Sequence, residues 1–203
     1  MRQFPKYILS TILFFIGVVS TVANSSKAND SYLTLNSWIS KDTSQIKIIQ
    51  NYQKINSIFD LLDAFKGKPV FIDLWATWCD PCFEEFKFSD TLYKYLTKKN
   101  IEIIYISFDK EADDTLWRRK INEKKLFGNH MLANKLLRDN ITTLVWGGID
   151  AYSIPNYLLF DKSKNLLNKH SSNPSSGTKL FNEIEAELYA IRGHFINYLQ
   201  FTI

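Results

Sequence analysis

Phe71-Ile72-Asp73-Leu74-Trp75-Ala76-Thr77-Trp78-Cys79-Asp80-Pro81-Cys82 is the stretch on which the fold turns. From Val70 to Trp75 the chain is apolar on both parities, which predicts a central strand covered on both faces rather than one half in water. The residues from Thr77 to Cys82 enter a helix running to about Lys98, with Phe86, Tyr93 and Leu96 among its buried positions. A second strand of the same kind, Ile101 to Ser107, follows directly. Strand, helix and strand of this length form a right-handed crossover in a parallel sheet.

Upstream, Asn56 and Ser57 can cap a helix whose apolar residues Ile58, Leu61, Leu62 and Phe65 recur at helical spacing, and Gly67 stands where such a helix stops. Before it the chain is polar and mixed, with short alternations at Tyr32-Leu33-Thr34-Leu35 and Ile46-Lys47-Ile48-Ile49 that read as edge strands. Downstream, Asp109 to Gly148 is helical in pattern, near Asp113 to Lys125 and again near Ala133 to Asp139, with Gly128 as punctuation. Ile154-Pro155 then leads into a short strand, Tyr157 to Phe160. The turn Asp161 to Asn165 and the run Leu166-Leu167-Asn168 complete a hairpin. A final helix spans about Thr178 to Ala190, and the tail 191–203 carries no definite reading, its apolar content favouring packing against the domain over a membrane contact.

A chain of 203 residues with 45% hydrophobic content can bury one good core. Its net charge of +4 is small and spread out, so it shows no nucleic-acid footprint and no polybasic membrane tether. Arg2 and Lys6 precede an apolar run, Tyr7 to Val19, and Thr21-Val22-Ala23 supplies small residues after it. This is the layout of a secretory signal cleaved after Ala23, with an uncleaved N-terminal anchor as the alternative. Either places the remainder outside the cytoplasm, and the absence of a cysteine after the run excludes a cysteine-linked lipid there. The expected organisation is a signal or anchor at 1–23, an extension at 24–55, a folded domain at 56–190 and a tail at 191–203.

The two cysteines, Cys79 and Cys82, stand three apart at a strand-to-helix junction. A structural zinc site needs four ligands, and His130, His170 and His194 show no ligand spacing around Cys79, which argues against a metal. A disulfide closing so short a loop removes little chain entropy, so a staple is an inefficient reading. In the first turn of a helix, however, the Cys79 sulfur faces unpaired backbone amides, which favour the thiolate and hence nucleophilic attack.

The stretch Phe71 to Cys82 resembles the active-site strand and helix start of the thioredoxin superfamily. Ser153-Ile154-Pro155-Asn156-Tyr157-Leu158-Leu159-Phe160-Asp161 resembles that family's cis-proline loop and following strand. With the leader and the insert between the two motifs, the chain is most similar to the exported TlpA/ResA branch over about Asn56 to Ala190. The resemblance implies a thioredoxin-like α/β fold, a central mixed β-sheet flanked by helices, with a helical insert before the cis-proline loop. It implies that Cys79 is the exposed attacking thiol and that Cys82, more buried, resolves the mixed disulfide. Pro81 suits the first turn of a helix, and Trp78 would pack beside the thiol, with core packing as the alternative.

Asp73, a carboxyl within an otherwise apolar strand, should have a raised pKa, and the resemblance implies that it accepts the proton of Cys82. The alternative is an acid turned to water at a strand end. Asp80 places a negative charge between the cysteines, which opposes charge on Cys79 and makes the dithiol more reducing. Glu85 matches an active-site glutamate of ResA-like proteins, although an acid in the first turns also simply complements the helix dipole. Lys87 stands where the family commonly has proline, which argues against the usual kink. A cis Pro155 would turn the backbone at Ile154 toward the sulfurs so that an extended substrate segment can pair with it, Ile154 adding an apolar lip. A trans proline opening the strand is the alternative.

The implied reaction is thiol–disulfide exchange with exported proteins, as a reductant supplied by a membrane dithiol reductase, with no metal or organic cofactor. A role like that of ResA in cytochrome c maturation fits the resemblance. A disulfide-forming oxidant and a non-catalytic binding module of the same fold are the competing readings. A peroxidase is disfavoured, because the threonine and proline framing of peroxide-reducing relatives is missing before Cys79.

Overall fold

The computed structural model describes residues 45–148 and 152–200, the stretch 190–200 as backbone alone. The leader at 1–23, the alternation at Tyr32 to Leu35 and the His194 side chain lie outside what it describes. Among the described residues no helix is long and apolar enough to cross a membrane. The strands are β1 (Ile46–Ile48), β2 (Val70–Trp75), β3 (Glu102–Ser107), β4 (Gly128–Leu132), β5 (Asn156–Phe160) and β6 (Leu166–Asn168). The α-helices are α1 (Ile58–Asp63), α2 (Asp80–Glu85), α3 (Ser89–Lys98), α4 (Asp114–Lys124), α5 (Lys135–Trp146) and α6 (Thr178–Gln200). The strands form one sheet in the order β1-β4-β3-β2-β5-β6. From β1 to β2 neighbours run parallel, whereas β5 is antiparallel to both β2 and β6. The sheet is therefore mixed, with the expected crossover and hairpin in place.

Both-parity apolarity does what it should: every residue of β2 and β5 is buried, and so are five of the six in β3. Helices supply the cover. Tyr95 of α3 stacks on Phe181 of α6 with ring centroids 4.0 Å apart, and its hydroxyl donates to the Phe181 carbonyl. On α1 the Ser57 hydroxyl caps by accepting the Asp60 amide, and the Ile58 amide donates to Asn140 of α5, so the first helix is fixed at its start by two side chains.

Four expectations on the fold need correction. The insert before the proline loop is not wholly helical, because Gly128–Leu132 forms β4 between β1 and β3. Gly128 has φ +137°, and a Cβ there would lie 2.5 Å from Ile103 Cγ2, so this strand can approach its neighbour only without a side chain. The stretch expected as an extension, 24–55, contributes β1 and the buried residues Ile49, Tyr52 and Ile55, so the packed unit takes in residues 46–55 as well. The active-site helix is interrupted by a 3-10 turn at Phe86–Phe88 although Lys87 keeps the amide hydrogen that a proline would lack. The last helix does not stop at Ala190 but continues to Gln200.

Candidate active site

The loop between β2 and α2 is tightened by a turn in which the Cys79 amide donates to the Ala76 carbonyl. Cys79 is the N-cap of α2, and its sulfur accepts the Cys82 amide at 3.2 Å. Pro81 sits in the first turn, where a missing amide hydrogen costs nothing, and Asp80 beside it is exposed. The two sulfurs are joined in a disulfide, Cys79–Cys82. Cys79 is 3% exposed and Cys82 0%, so in the disulfide form both are buried and Cys79 is not the exposed thiol anticipated. Its bond to Cys82 and the turn from Ala76 draw the sulfur inward.

Trp78 is displaced from the core instead. It is 57% exposed, and its ring lies 6.5 Å from that of Tyr152, itself an exposed aromatic, so core packing is overturned. Tyr152 also meets Phe108 edge-on at 5.0 Å and Trp146 at 6.3 Å, which ties this aromatic rim to the ends of β3 and α5. The Ile154–Pro155 peptide is cis, and both residues are half-buried. Asn156 follows at once, its Oδ1 2.8 Å from His170 Nδ1 and its amide donating to the Lys169 carbonyl, which fixes the loop against β6.

Asp73 is 2% exposed in the middle of β2, so an acid at a strand end turned to water is excluded. Its Oδ1 is buried with no hydrogen-bonding partner among the described residues. Burial, reinforced by the charge of Glu85, pushes its carboxyl well above the ordinary carboxylate range. The side chain shares its face of the sheet with Trp75, two residues on, and Phe86 covers that face with its ring 5.1 Å from Trp75 and 6.3 Å from Tyr105. Asp73 therefore lies beneath the helix that carries Cys82. Glu85 is held elsewhere by three donors, the amide and hydroxyl of Ser175 and the side-chain amide of Asn173, so it joins α2 to the 3-10 turn before α6.

Several residues at the site escaped sequence reasoning. Asp109, 1% exposed just past β3, accepts the Thr77 amide at 2.8 Å, the Thr77 hydroxyl at 2.7 Å and the Ser107 hydroxyl at 2.5 Å. This clasp holds the residue before Trp78 and so sets where the active-site loop begins. Ser107-x-Asp109 at the end of an apolar strand was its sequence signal. Tyr105 and Tyr157, opposite Asp73 on the flanking strands, look like ordinary strand aromatics in the sequence and carry no such signal.

The geometry can be set beside known proteins. The thiol-disulfide oxidoreductase ResA of Bacillus cereus is 31% identical over 108 residues, 53% of this chain and 57% of that protein. The chain thus spans little more than half the length of that relative. The thiol:disulfide interchange protein DsbE of Vibrio cholerae is 26% identical over 130 residues, 62% of this chain and 68% of its own. The crystal structure of a thiol:disulfide interchange protein of the thioredoxin family from Chlorobium tepidum superposes with a TM-score of 0.50 at 18% identity, covering 61% of this chain and 83% of that one, a likeness of fold. The AhpC/TSA family profile matches residues 49–196, from the end of β1 into α6, and it is to the AhpC/TSA family, with its thioredoxin-like fold, that this chain belongs.

Proposed function

We propose that the protein is a thiol–disulfide oxidoreductase that exchanges disulfides with other proteins through Cys79 and Cys82, and that it works as a reductant outside the cytoplasm. The observation that carries this reading is the Cys79–Cys82 disulfide closed across the first turn of α2, with a cis Ile154–Pro155 bond among the described residues. In the reduced form, the Cys79 thiolate attacks a sulfur of the partner disulfide; that S–S bond breaks and a mixed disulfide forms. Cys82 gives its proton to Asp73, and its thiolate attacks the Cys79 sulfur. The partner leaves as a dithiol carrying two electrons, and the Cys79–Cys82 bond is restored. A second dithiol, by the resemblance a membrane reductase, then reduces the pair again.

Asp80 sits in the first turn beside Cys79, where its charge works against a stable thiolate and thus toward a reducing dithiol. The exposed Trp78 and Tyr152 would grip the partner, and Pro155 with Ile154 would receive its extended segment. The names of the relatives, ResA and DsbE, agree with this chemistry, and a part in cytochrome c maturation is the narrower form of the proposal. The full chain carrying Cys82→Ala should accumulate mixed disulfides with exported proteins through Cys79, released by a small thiol reductant. A clean absence of adducts would overturn the reading, and a reduction potential as high as that of strong disulfide-forming oxidants would reverse its direction.

A further inference from the structure

We infer that Tyr105 and Tyr157 are positioning residues for Asp73, flanking it in register on the two neighbouring strands and governing how its carboxyl exchanges a proton with Cys82. The inference rests on the thiol–disulfide reading above and on three observations that do not depend on it.

The first observation is register. Asp73 pairs with Tyr105 of β3 on one side and with Tyr157 of β5 on the other, and Tyr105 pairs in turn with His130 of β4. Residues paired in register project to the same face of a sheet, with strands about 4.8 Å apart. That face is the one covered by Phe86, directly after α2. The second is burial. Tyr105 is 0% exposed and Tyr157 1%, and both hydroxyls, like Asp73 Oδ1, are buried with no hydrogen-bonding partner among the described residues. Buried polar atoms are almost always paired, and phenylalanine would fill the same space with nothing left to pair. With His130 Nδ1, four such atoms lie in one row across the sheet, and the three centred on Asp73 point to a use.

The third observation is electrostatic. Burial first, and after it the charge of Asp73, pushes both hydroxyls up, so neither tyrosine gives up its own proton. From α2, Glu85 adds to the rise at Asp73 and at Tyr157; from α3, Tyr93 acts on Tyr105. His130, stacked on Tyr105 at 4.9 Å, is pushed down to about 3 by burial and is neutral, so no cation reaches the row from β4.

The choice of tyrosine follows from what Asp73 must do. When a reducing thiolate attacks Cys79, the Cys79–Cys82 bond breaks, its two electrons pass to Cys82, and Cys82 takes the proton of the Asp73 carboxyl. Asp73 is left charged in an apolar interior. In the opposite direction the carboxylate takes the proton back. A lysine at either flanking position would hold only the charged form, and a phenylalanine would tolerate only the neutral one. A hydroxyl can turn its O–H dipole toward the carboxylate or away from the carboxyl, so without a direct hydrogen bond it can serve both forms while the strands stay in place.

The test uses the full chain with Tyr105→Phe, Tyr157→Phe and both changes together. The carbonyl stretch of protonated Asp73, assigned by its loss in Asp73→Asn, is followed against pH in the reduced protein by infrared difference spectroscopy. Each lost hydroxyl should raise the midpoint of that titration by about one pH unit, a tenfold change in proton affinity. The pH limb of the exchange rate should move with it, and in the Asp73→Asn background the tyrosine changes should leave the limb where it is. An unmoved midpoint in both single variants would overturn the inference even if exchange remains pH-dependent. If Asp73→Asn leaves the exchange profile unchanged, the proton role of Asp73 fails instead, and the infrared midpoint still decides whether the tyrosines act on it. Each single change only removes a hydroxyl from an intact ring, so the single variants decide the matter even if the double variant does not fold.

Discussion

Two buried aspartates of the same sheet are treated in opposite ways. Asp109, just beyond the end of β3, is surrounded by the Thr77 amide, the Thr77 hydroxyl and the Ser107 hydroxyl, all of which donate to it. Asp73, in the middle of β2, has one carboxyl oxygen with no partner among the described residues and is paired in register with Tyr105 and Tyr157, the charge of Glu85 adding to the effect of its burial. A carboxylate inside a protein is tolerated when donors compensate the water it has lost, and otherwise it holds a proton. The first arrangement makes a clasp; the second makes a group whose protonation can change during a reaction. Burial alone does not distinguish them, since both are within 2% of full burial. The count of donors does.

The comparison breaks most readily at Asp109. Asp109→Ala leaves the Thr77 amide and two hydroxyls without their acceptor, and it should lower stability by about 2–4 kcal/mol in denaturant titration. Thr77→Val keeps the backbone bond and loses one hydroxyl, so about 1 kcal/mol is expected. Wild-type stability in Asp109→Ala would mean that the clasp is ornamental and that the contrast between the two acids is false.

At Asp73 the expected effect is opposite in sign and depends on pH. Burial first, and Glu85 second, raise its folded pKa above the ordinary value, so between those two values the folded protein holds a proton that the unfolded chain has released. Stability is then fully present below about pH 4 and falls as pH rises toward the folded pKa, by at most about 1.4 kcal/mol for each pH unit crossed. Asp73→Asn cannot ionise. It should match wild type at the acid end and become the more stable of the two toward neutral pH, as thermal unfolding across that range would show. His130 works in the other direction, since a folded pKa of about 3 means that stability is lost as pH falls below about 6.5. That loss is common to both proteins and cancels in their difference. A flat difference across pH would show that Asp73 is not the poised acid.

The sequence made the centre of this arrangement legible because its signals are local. Val70 to Trp75 had to be covered on both sides, Ser57 had to cap, and a cysteine pair at a strand end had to begin a helix. What could not be read depends on partners far along the chain. The acceptor of the Thr77 amide lies 32 residues away, and an acid just past a strand looks like any loop residue. Strand β4 carries Asn129 and His130 among its buried residues, which broke the apolar run that would have announced it. Its place beside β3 depends on the bare backbone of Gly128 meeting Ile103, a contact that no periodicity contains. Tyr105 and Tyr157 became neighbours of Asp73 only once the order of strands was known. For Trp78 the sequence allows two places, since a large aromatic beside the cysteines can cover the thiol or enter the core, and the structure puts it on the surface.

That exposed tryptophan allows the smallest effect on the fold to be separated from an effect on function. Trp78 follows the residue that Asp109 holds, yet it is itself 57% exposed with the exposed Tyr152 ring 6.5 Å away, so Trp78→Ala should change stability by no more than about 0.5 kcal/mol. If the aromatic rim grips a protein partner, the loss of one ring contact on the order of 1 kcal/mol should slow exchange with a protein disulfide several-fold. Exchange with a small aliphatic disulfide, which cannot reach Tyr152 and Trp78 together, should be unchanged. Equal slowing of both substrates would place Trp78 in the shaping of the Cys79 loop, on the same side of the comparison as Asp109. Unequal slowing would separate the two: the buried clasp builds the site, and the exposed ring one residue beyond it selects what the site accepts.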